Sequence, residues 1–69
     1  MAREHVTLEM NEIIKSMVRS SRELEADAKR LRKARSLEDV ALIRGRIEAE
    51  RQSIANGGRQ LRRLAVQGD

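Results

Sequence analysis

Apolar residues recur every seven positions in both halves of this chain, and that spacing limits the possible folds more than any other feature. The two series are Met10, Met17, Leu24 and Leu31 in the first half, and Val40, Ile47, Ile54 and Leu61 in the second. A seven-residue apolar repeat is typical of α-helices that pack along a narrow seam. The absence of Pro supports long helices, and the sequence therefore predicts an all-α fold.

Each series has a companion that we expect to supply the second position of its seam. In the first half the companions are mostly small: Thr7, Ile14, Ser21 and Ala28. In the second half they are Ile43, Glu50, Gly57 and Leu64. The small side chains would permit close approach of a neighbouring helix. Ile14, the large member of the first companion series, is included in the predicted interface.

The two series do not share one register, because Val40 follows Leu31 by nine residues. Between them Ser36 can cap free N–H groups at a helix start, and the acidic pair Glu38 and Asp39 suits the positive first turn. The pattern predicts a two-helix antiparallel hairpin as a single domain over 1–69. Helix 1 is expected at about 4–34, the turn at about 34–36 and helix 2 at about 37–65.

A hairpin centred near Arg35 would bring opposite charges together across the seam. The expected pairs are Glu9 with Arg62, Glu12 with Arg59, Asp27 with Arg44, Glu25 with Arg46, and Arg22 with Glu48 and Glu50. This register also sets Ile13 and Ile14 opposite Gly57 and Gly58. The glycine pair either receives those large side chains or ends helix 2, and the sequence leaves both alternatives open.

The chain is too short to enclose a large core, since 69 residues bury only about 60% of their unfolded surface. It has no Cys and one His, so disulfides and a structural metal are not expected to supplement the core. Apolar residues such as Leu8, Val18 and Leu42 lie off the predicted seams. We therefore expect association with a helical partner, most simply a homodimeric four-helix bundle.

Catalytic chemistry is not expected from this sequence. His5 stands alone near one end, the carboxylates are scattered, and there is no glycine-rich phosphate loop. We expect no cofactor, no metal and no small-molecule substrate. No apolar run reaches the roughly 18 residues that a membrane span needs, and the first residues lack the apolar core of a signal peptide. The expected location is cytoplasmic, without a membrane partner.

A basic balance gives a second possibility, because the net charge is +4 and the pI is near 10.7. The candidate nucleic-acid contacts are Lys29, Arg30, Arg32, Lys33 and Arg35 near the turn, and Arg59, Arg62 and Arg63 near the end of helix 2. Interleaved acids and the lack of aromatic residues weigh against this reading. The first prediction is thus a non-enzymatic protein-interaction module, with a dimeric hairpin binding RNA or DNA backbone as the alternative.

The layout resembles two families of helical hairpins, and no specific motif carries either resemblance. The order of apolar series, turn at Ser36 and second series is similar to the Rop regulators of plasmid copy number, which bind paired RNA loops as dimers. That family uses a Phe on its RNA-binding face, and this chain has none. The size, and the segment from Asn56 to Leu64, are similar to the small co-chaperones of type III secretion. These resemblances imply adaptor, co-chaperone or regulator roles, and no residue role is transferred.

Overall fold

Two long helices account for nearly all of the structure. The computed structural model describes residues 2–67, with side chains from residue 4 onward. Helix α1 spans Ala2–Lys33 and helix α2 spans Leu37–Gln67. They pack against each other along their length as a rod whose extents are 53 × 14 × 11 Å. The predicted all-α helical hairpin is confirmed, while the four-helix bundle stays a prediction.

The turn is closed by hydrogen bonds around Ser36. The Asp39 N–H donates to Ser36 Oγ at 3.1 Å, and the Val40 N–H donates to the Ser36 carbonyl at 3.1 Å. At the other side of the turn, the Ala34 N–H donates to the Leu31 carbonyl at 3.3 Å. Within residues 2–67 no residue has a positive φ, so this turn does not require glycine.

The helices meet along one seam of buried and half-buried residues spaced alternately three and four apart. All members of the two seven-residue series lie on it. The full seam consists of Val6, Met10, Ile13, Met17, Ser20, Leu24, Asp27 and Leu31 on α1, Ala34 directly after it, and Val40, Ile43, Ile47, Glu50, Ile54, Gly57, Leu61 and Leu64 on α2. The companion series predicted for α2 is therefore correct.

The companion series predicted for α1 is wrong. Thr7, Ile14, Ser21 and Ala28 are all exposed, and Ile14 retains 45% of its accessible surface. The companions that face the seam lie one residue earlier, at Val6, Ile13, Ser20 and Asp27. Ile13 and Ile14, three and four residues after Met10, lie on opposite sides of the series that begins at Met10. Because both are large and apolar, the sequence does not indicate which side is buried. The side that is buried is the one where Ile13 and Met17 fit over Gly57.

The register across the hairpin also differs from the predicted one by two to three residues. Ser20 would have faced Arg51, but Ser20 Oγ donates to Ser53 Oγ at 3.1 Å. Met17 would have faced Ile54, but it lies over Gly57. Gly57 and Gly58 lie inside α2, so they do not end the helix.

None of the expected charge pairs across the seam forms an ion pair within 4.0 Å among residues 4–67. The ion pairs in this part of the chain each join neighbours on α1: His5 with Glu9 at 3.6 Å, Lys15 with Glu12 at 3.6 Å, and Arg30 with Asp27 at 2.8 Å. The expected pairs do not form because the register of the hairpin is shifted. Exposed ion pairs contribute only about 0.2–1 kcal/mol each, so they cannot override the packing of the seam that sets this register.

Candidate partner-binding surfaces

The hairpin leaves much of its apolar surface uncovered. Ile43, at 9% exposure, is the buried hydrophobic residue among residues 4–67, and the other apolar seam residues are half-buried. Six large apolar residues are exposed: Leu8, Ile14, Val18, Leu37, Leu42 and Val66. Two helices alone cover only the inner stripe of each other, so this outer apolar surface is available to another molecule.

Part of this surface forms a second stripe along α1, which we call the α1 flank. Its members follow the same alternation of four and three residues as the seam and lie beside it: Thr7, Asn11, Ile14, Val18, Ser21, Glu25 and Ala28. All are exposed, and the two largest, Ile14 and Val18, keep 45% and 43% of their surface. They line a shallow groove together with Lys15, Arg19 and Arg22. The predicted companion series of α1 thus lies on this flank instead of in the seam.

The opposite side of the hairpin carries a groove of mixed lining between the helices. Its apolar lining residues are Ile13, Met17 and Ala49, and its polar ones include Ser53, Asn56 and Gln60 of α2. The floor lies over Gly57, which has no side chain. The polar side chains would need hydrogen-bond partners when covered, whereas Ile14 and Val18 of the α1 flank would not.

Two carboxyl groups lie in the seam near the turn. Asp27 is only 3% exposed, and Arg30 Nη1 donates to its Oδ1 at 2.8 Å. Glu50 lies near it on α2, and its Oε1 is buried without a hydrogen-bond donor. Both stand at heptad positions normally occupied by apolar residues.

The surroundings of Glu50 raise the pKa of its carboxyl group above the ordinary value of 4.5. The main cause is burial, followed by the adjacent Asp27 side chain and its negative charge, and then by the charge of Glu23; Arg46 acts in the opposite direction. These surroundings favour the neutral form of Glu50 over the charged form. Glu50 was predicted at a seam position, but Asp27 was not, because the companion series of α1 was assigned one residue too late; the acid pair was therefore missed.

The predicted interface residues are divided between the seam and the α1 flank. Of the nine, Ile14 lies on the flank, while Met10, Met17, Leu24, Leu31, Val40, Ile47, Ile54 and Leu61 lie in the seam. Those eight contribute first to packing within the chain. Their role in contacts with a second chain stays a prediction.

The predicted nucleic-acid contacts are also divided. Lys29, Arg32, Lys33 and Arg35 are exposed around the turn, whereas the guanidinium of Arg30 is held by Asp27. At the far end of the rod, Arg59, Arg62 and Arg63 are exposed, and Arg59 Nη1 donates to Asn56 Oδ1 at 3.1 Å.

The described part of the chain contains neither a metal-binding cluster nor a membrane-spanning segment. No group of three or more His, Asp or Glu residues is arranged to hold a metal ion there. Neither of the two helices contains a stretch long and apolar enough to cross a membrane.

Comparison with known proteins gave no relative: no protein-family model, no curated protein and no solved structure matches the chain.

Proposed function

We propose that this chain is a non-enzymatic protein-interaction module that works as a homodimer, with two hairpins packing through their α1 flanks into a four-helix bundle. The observation that carries the proposal is the α1 flank itself, an exposed second stripe that repeats the heptad spacing of the seam. Helices with two adjacent stripes are typical of bundles, where each helix contacts two neighbours.

The energetics favour covering this flank. Complete burial of a Val, Leu or Ile side chain contributes about 1.5–3 kcal/mol, and Ile14 and Val18 each have nearly half of their surface left to bury. In a symmetric dimer this gain occurs twice. The small side chains of Ser21 and Ala28 would let the second helix approach closely, which adds dispersion contacts along the same stripe.

A second copy is the favoured occupant because the flank is complementary to itself. If two α1 helices cross antiparallel with the two-fold axis at Val18, the apolar centre of each flank meets its own copy. The same arrangement places Glu4 level with Arg32 of the second copy, and Asn11 level with Glu25 of the second copy. Opposite charges at the two ends of the stripe would favour this orientation over a parallel one.

Light scattering coupled to gel filtration tests the proposal. The chain has a mass of 7.9 kDa, and we expect a peak of twice that value at both low and high salt. Concentration must be measured by refractive index, because the chain has no Phe, Tyr or Trp. A different helical protein as the partner would instead leave the purified chain monomeric or aggregated, which would contradict the dimer.

A matched pair of variants tests whether the α1 flank is the dimer contact. We expect Val18→Asp to dissociate the dimer, because it places a charge beside its own copy at the centre of the flank. Leu42→Asp makes the same kind of change at a residue that is 65% exposed on α2, and we expect the dimer to persist. Equal dissociation by both variants would show that the α1 flank is not the contact.

A further inference from the structure

The positive charge of the molecule is concentrated at one end of the rod. Residues 28–46, which form the turn and the adjoining parts of both helices, contain seven Lys and Arg against two acids, a net charge of +5. The whole chain carries +4, so the remaining residues carry −1 together. The hairpin is therefore electrically polar, with a cationic turn end and a nearly neutral remainder.

The second basic region does not form a comparable site. Arg59, Arg62 and Arg63 lie at the open end of the hairpin, where the antiparallel packing brings the first part of α1 beside them. That part contributes Glu4, Glu9 and Glu12. Arg63 and Glu9 line the same groove between the helices. Folding thus mixes acids into this end, whereas the turn end keeps its excess of cations.

Six cations of the turn end are exposed and have no ion-pair partner within 4.0 Å among residues 4–67: Lys29, Arg32, Lys33, Arg35, Arg44 and Arg46. Lys29 is adjacent to both Arg32 and Lys33 on the helix surface, at spacings of three and four residues. Like charges at these spacings destabilise a helix by about 0.2–0.5 kcal/mol per pair. An anionic ligand would relieve this repulsion.

We propose that the turn end binds the sugar-phosphate backbone of a double-stranded nucleic acid. Lys and Arg side chains bind phosphate oxygens through charge-assisted hydrogen bonds, and a cluster of them releases condensed counterions from a duplex. A single strand is a poorer ligand here, because the chain has no aromatic residue on which an unpaired base could stack. Backbone contacts alone do not select a base sequence, so binding is independent of sequence.

An anionic membrane is the less suitable polyanion for this surface. Leu37 is 89% exposed at the turn and could enter a lipid surface, but it is a single residue. Glu38 and Asp39 follow it directly, and acidic lipids would repel them. A nucleic-acid backbone can be contacted from the α1 side of the turn, where the cations lie, without approaching these two acids.

Fluorescence anisotropy with labelled 20-base-pair DNA and RNA duplexes tests the proposal. Four phosphate contacts would lower the affinity roughly 100-fold between 50 and 200 mM salt, since the logarithmic slope is about −0.9 per contact for B-form DNA. We compare a turn-end variant, Lys29→Gln, Arg32→Gln, Lys33→Gln and Arg35→Gln, with an equal change elsewhere, Arg51→Gln, Arg59→Gln, Arg62→Gln and Arg63→Gln. Both variants lose four positive charges.

We expect the turn-end variant to lose at least about 30-fold in duplex affinity at 50 mM salt, while the control loses less than about threefold. Equal losses in the two variants would overturn the proposal, because they would indicate diffuse attraction to total charge. So would the absence of wild-type binding at 50 mM salt. Tighter binding to phosphatidylserine vesicles than to either duplex, abolished by Leu37→Gln, would assign the surface to a membrane instead.

Circular dichroism of each variant confirms that the helices persist. Should the fourfold turn-end variant unfold, Lys33→Gln with Arg35→Gln removes two charges from the last residues of α1 and the turn, and a loss of about tenfold is then expected. This inference does not depend on the proposed dimer. Light scattering on the same samples distinguishes the two, since a monomer that binds duplexes supports this proposal and contradicts the other.

Discussion

Replacing Gly57 with Ala tests whether the two helices are as close as the structure places them. A Cβ atom at position 57 would lie 2.5 Å from Met17 Cγ and 2.7 Å from Met17 Sδ. It would also lie 3.4 Å from Ile13 Cγ2. Carbon atoms in contact prefer separations of about 3.5–4.0 Å, so either the Met17 side chain must move or the helices must separate. Gly45 and Gly58 lie in the same helix and have nothing within 4 Å of an added Cβ.

Comparing Gly→Ala at the three positions gives the expected change in the free energy of unfolding and a control for helix propensity. Gly→Ala within a helix stabilises by roughly 0.5–1 kcal/mol, and this gain applies at all three positions. Overpacking costs about 1–3 kcal/mol and applies only at Gly57. The helix-propensity gain cancels when Gly57→Ala is compared with Gly58→Ala, so the difference of about 1–3 kcal/mol measures the close contact. It corresponds to a separation of at least about 4 °C in the melting midpoint.

Urea and thermal denaturation followed by circular dichroism at 222 nm measure these differences. We expect Gly58→Ala and Gly45→Ala to raise stability and Gly57→Ala to lower it. A Gly57→Ala protein as stable as Gly58→Ala would refute the reasoning, because the helices would then be farther apart at this level. Met17→Ala in the Gly57→Ala background should show coupling, since the smaller side chain removes the clash that the first change creates.

Two further predictions concern Glu50 and the turn. The pKa of Glu50 is higher in the folded than in the unfolded chain, so its stabilising contribution is complete below the unfolded pKa and is lost as pH rises through the folded pKa. Urea midpoints measured between pH 4 and 8 should therefore fall with pH in the wild type and fall less in Glu50→Gln. Parallel pH profiles of the two proteins would contradict this prediction. Ser36→Ala should cost about 1 kcal/mol through loss of the hydrogen bond from the Asp39 N–H, whereas Ser16→Ala, at an exposed serine of α1 outside the α1 flank, should cost nothing in the same denaturation assay.

The sequence was sufficient to predict the two helices and the turn between them. The seven-residue series from Met10 and from Val40 indicate two helical seams, and their change of phase requires an interruption. Ser36 identifies where the second helix begins, because its side chain can accept a hydrogen bond from the first turn. These signals are local or periodic, so they can be read without knowing which residues meet across the hairpin.

The side of α1 that is buried and the register of the hairpin could not be predicted. Both depend on contacts between residues far apart in sequence. Ile13 and Ile14 are equally apolar, and only the space over Gly57 favours the side of Ile13. Charge pairing suggested a register two to three residues away, but each exposed pair contributes too little to decide it. The concentration of charge at the turn end, in contrast, could be predicted, because the cationic run lies at the predicted turn and the hairpin places Glu9 and Glu12 beside the second basic region.

The seam contains polar or missing side chains at positions where apolar ones would stabilise more. Ser20, Asp27 and Glu50 each occupy a heptad position, and Gly57 leaves another without a side chain. Such residues are compatible with few alternative registers: Gly57 must lie under Met17, and Glu50 of α2 must lie beside Asp27 of α1. A slip of one residue on either helix would separate these partners. The seam thus favours specificity over stability within the single chain, which is consistent with a hairpin whose remaining stability comes from covering the α1 flank.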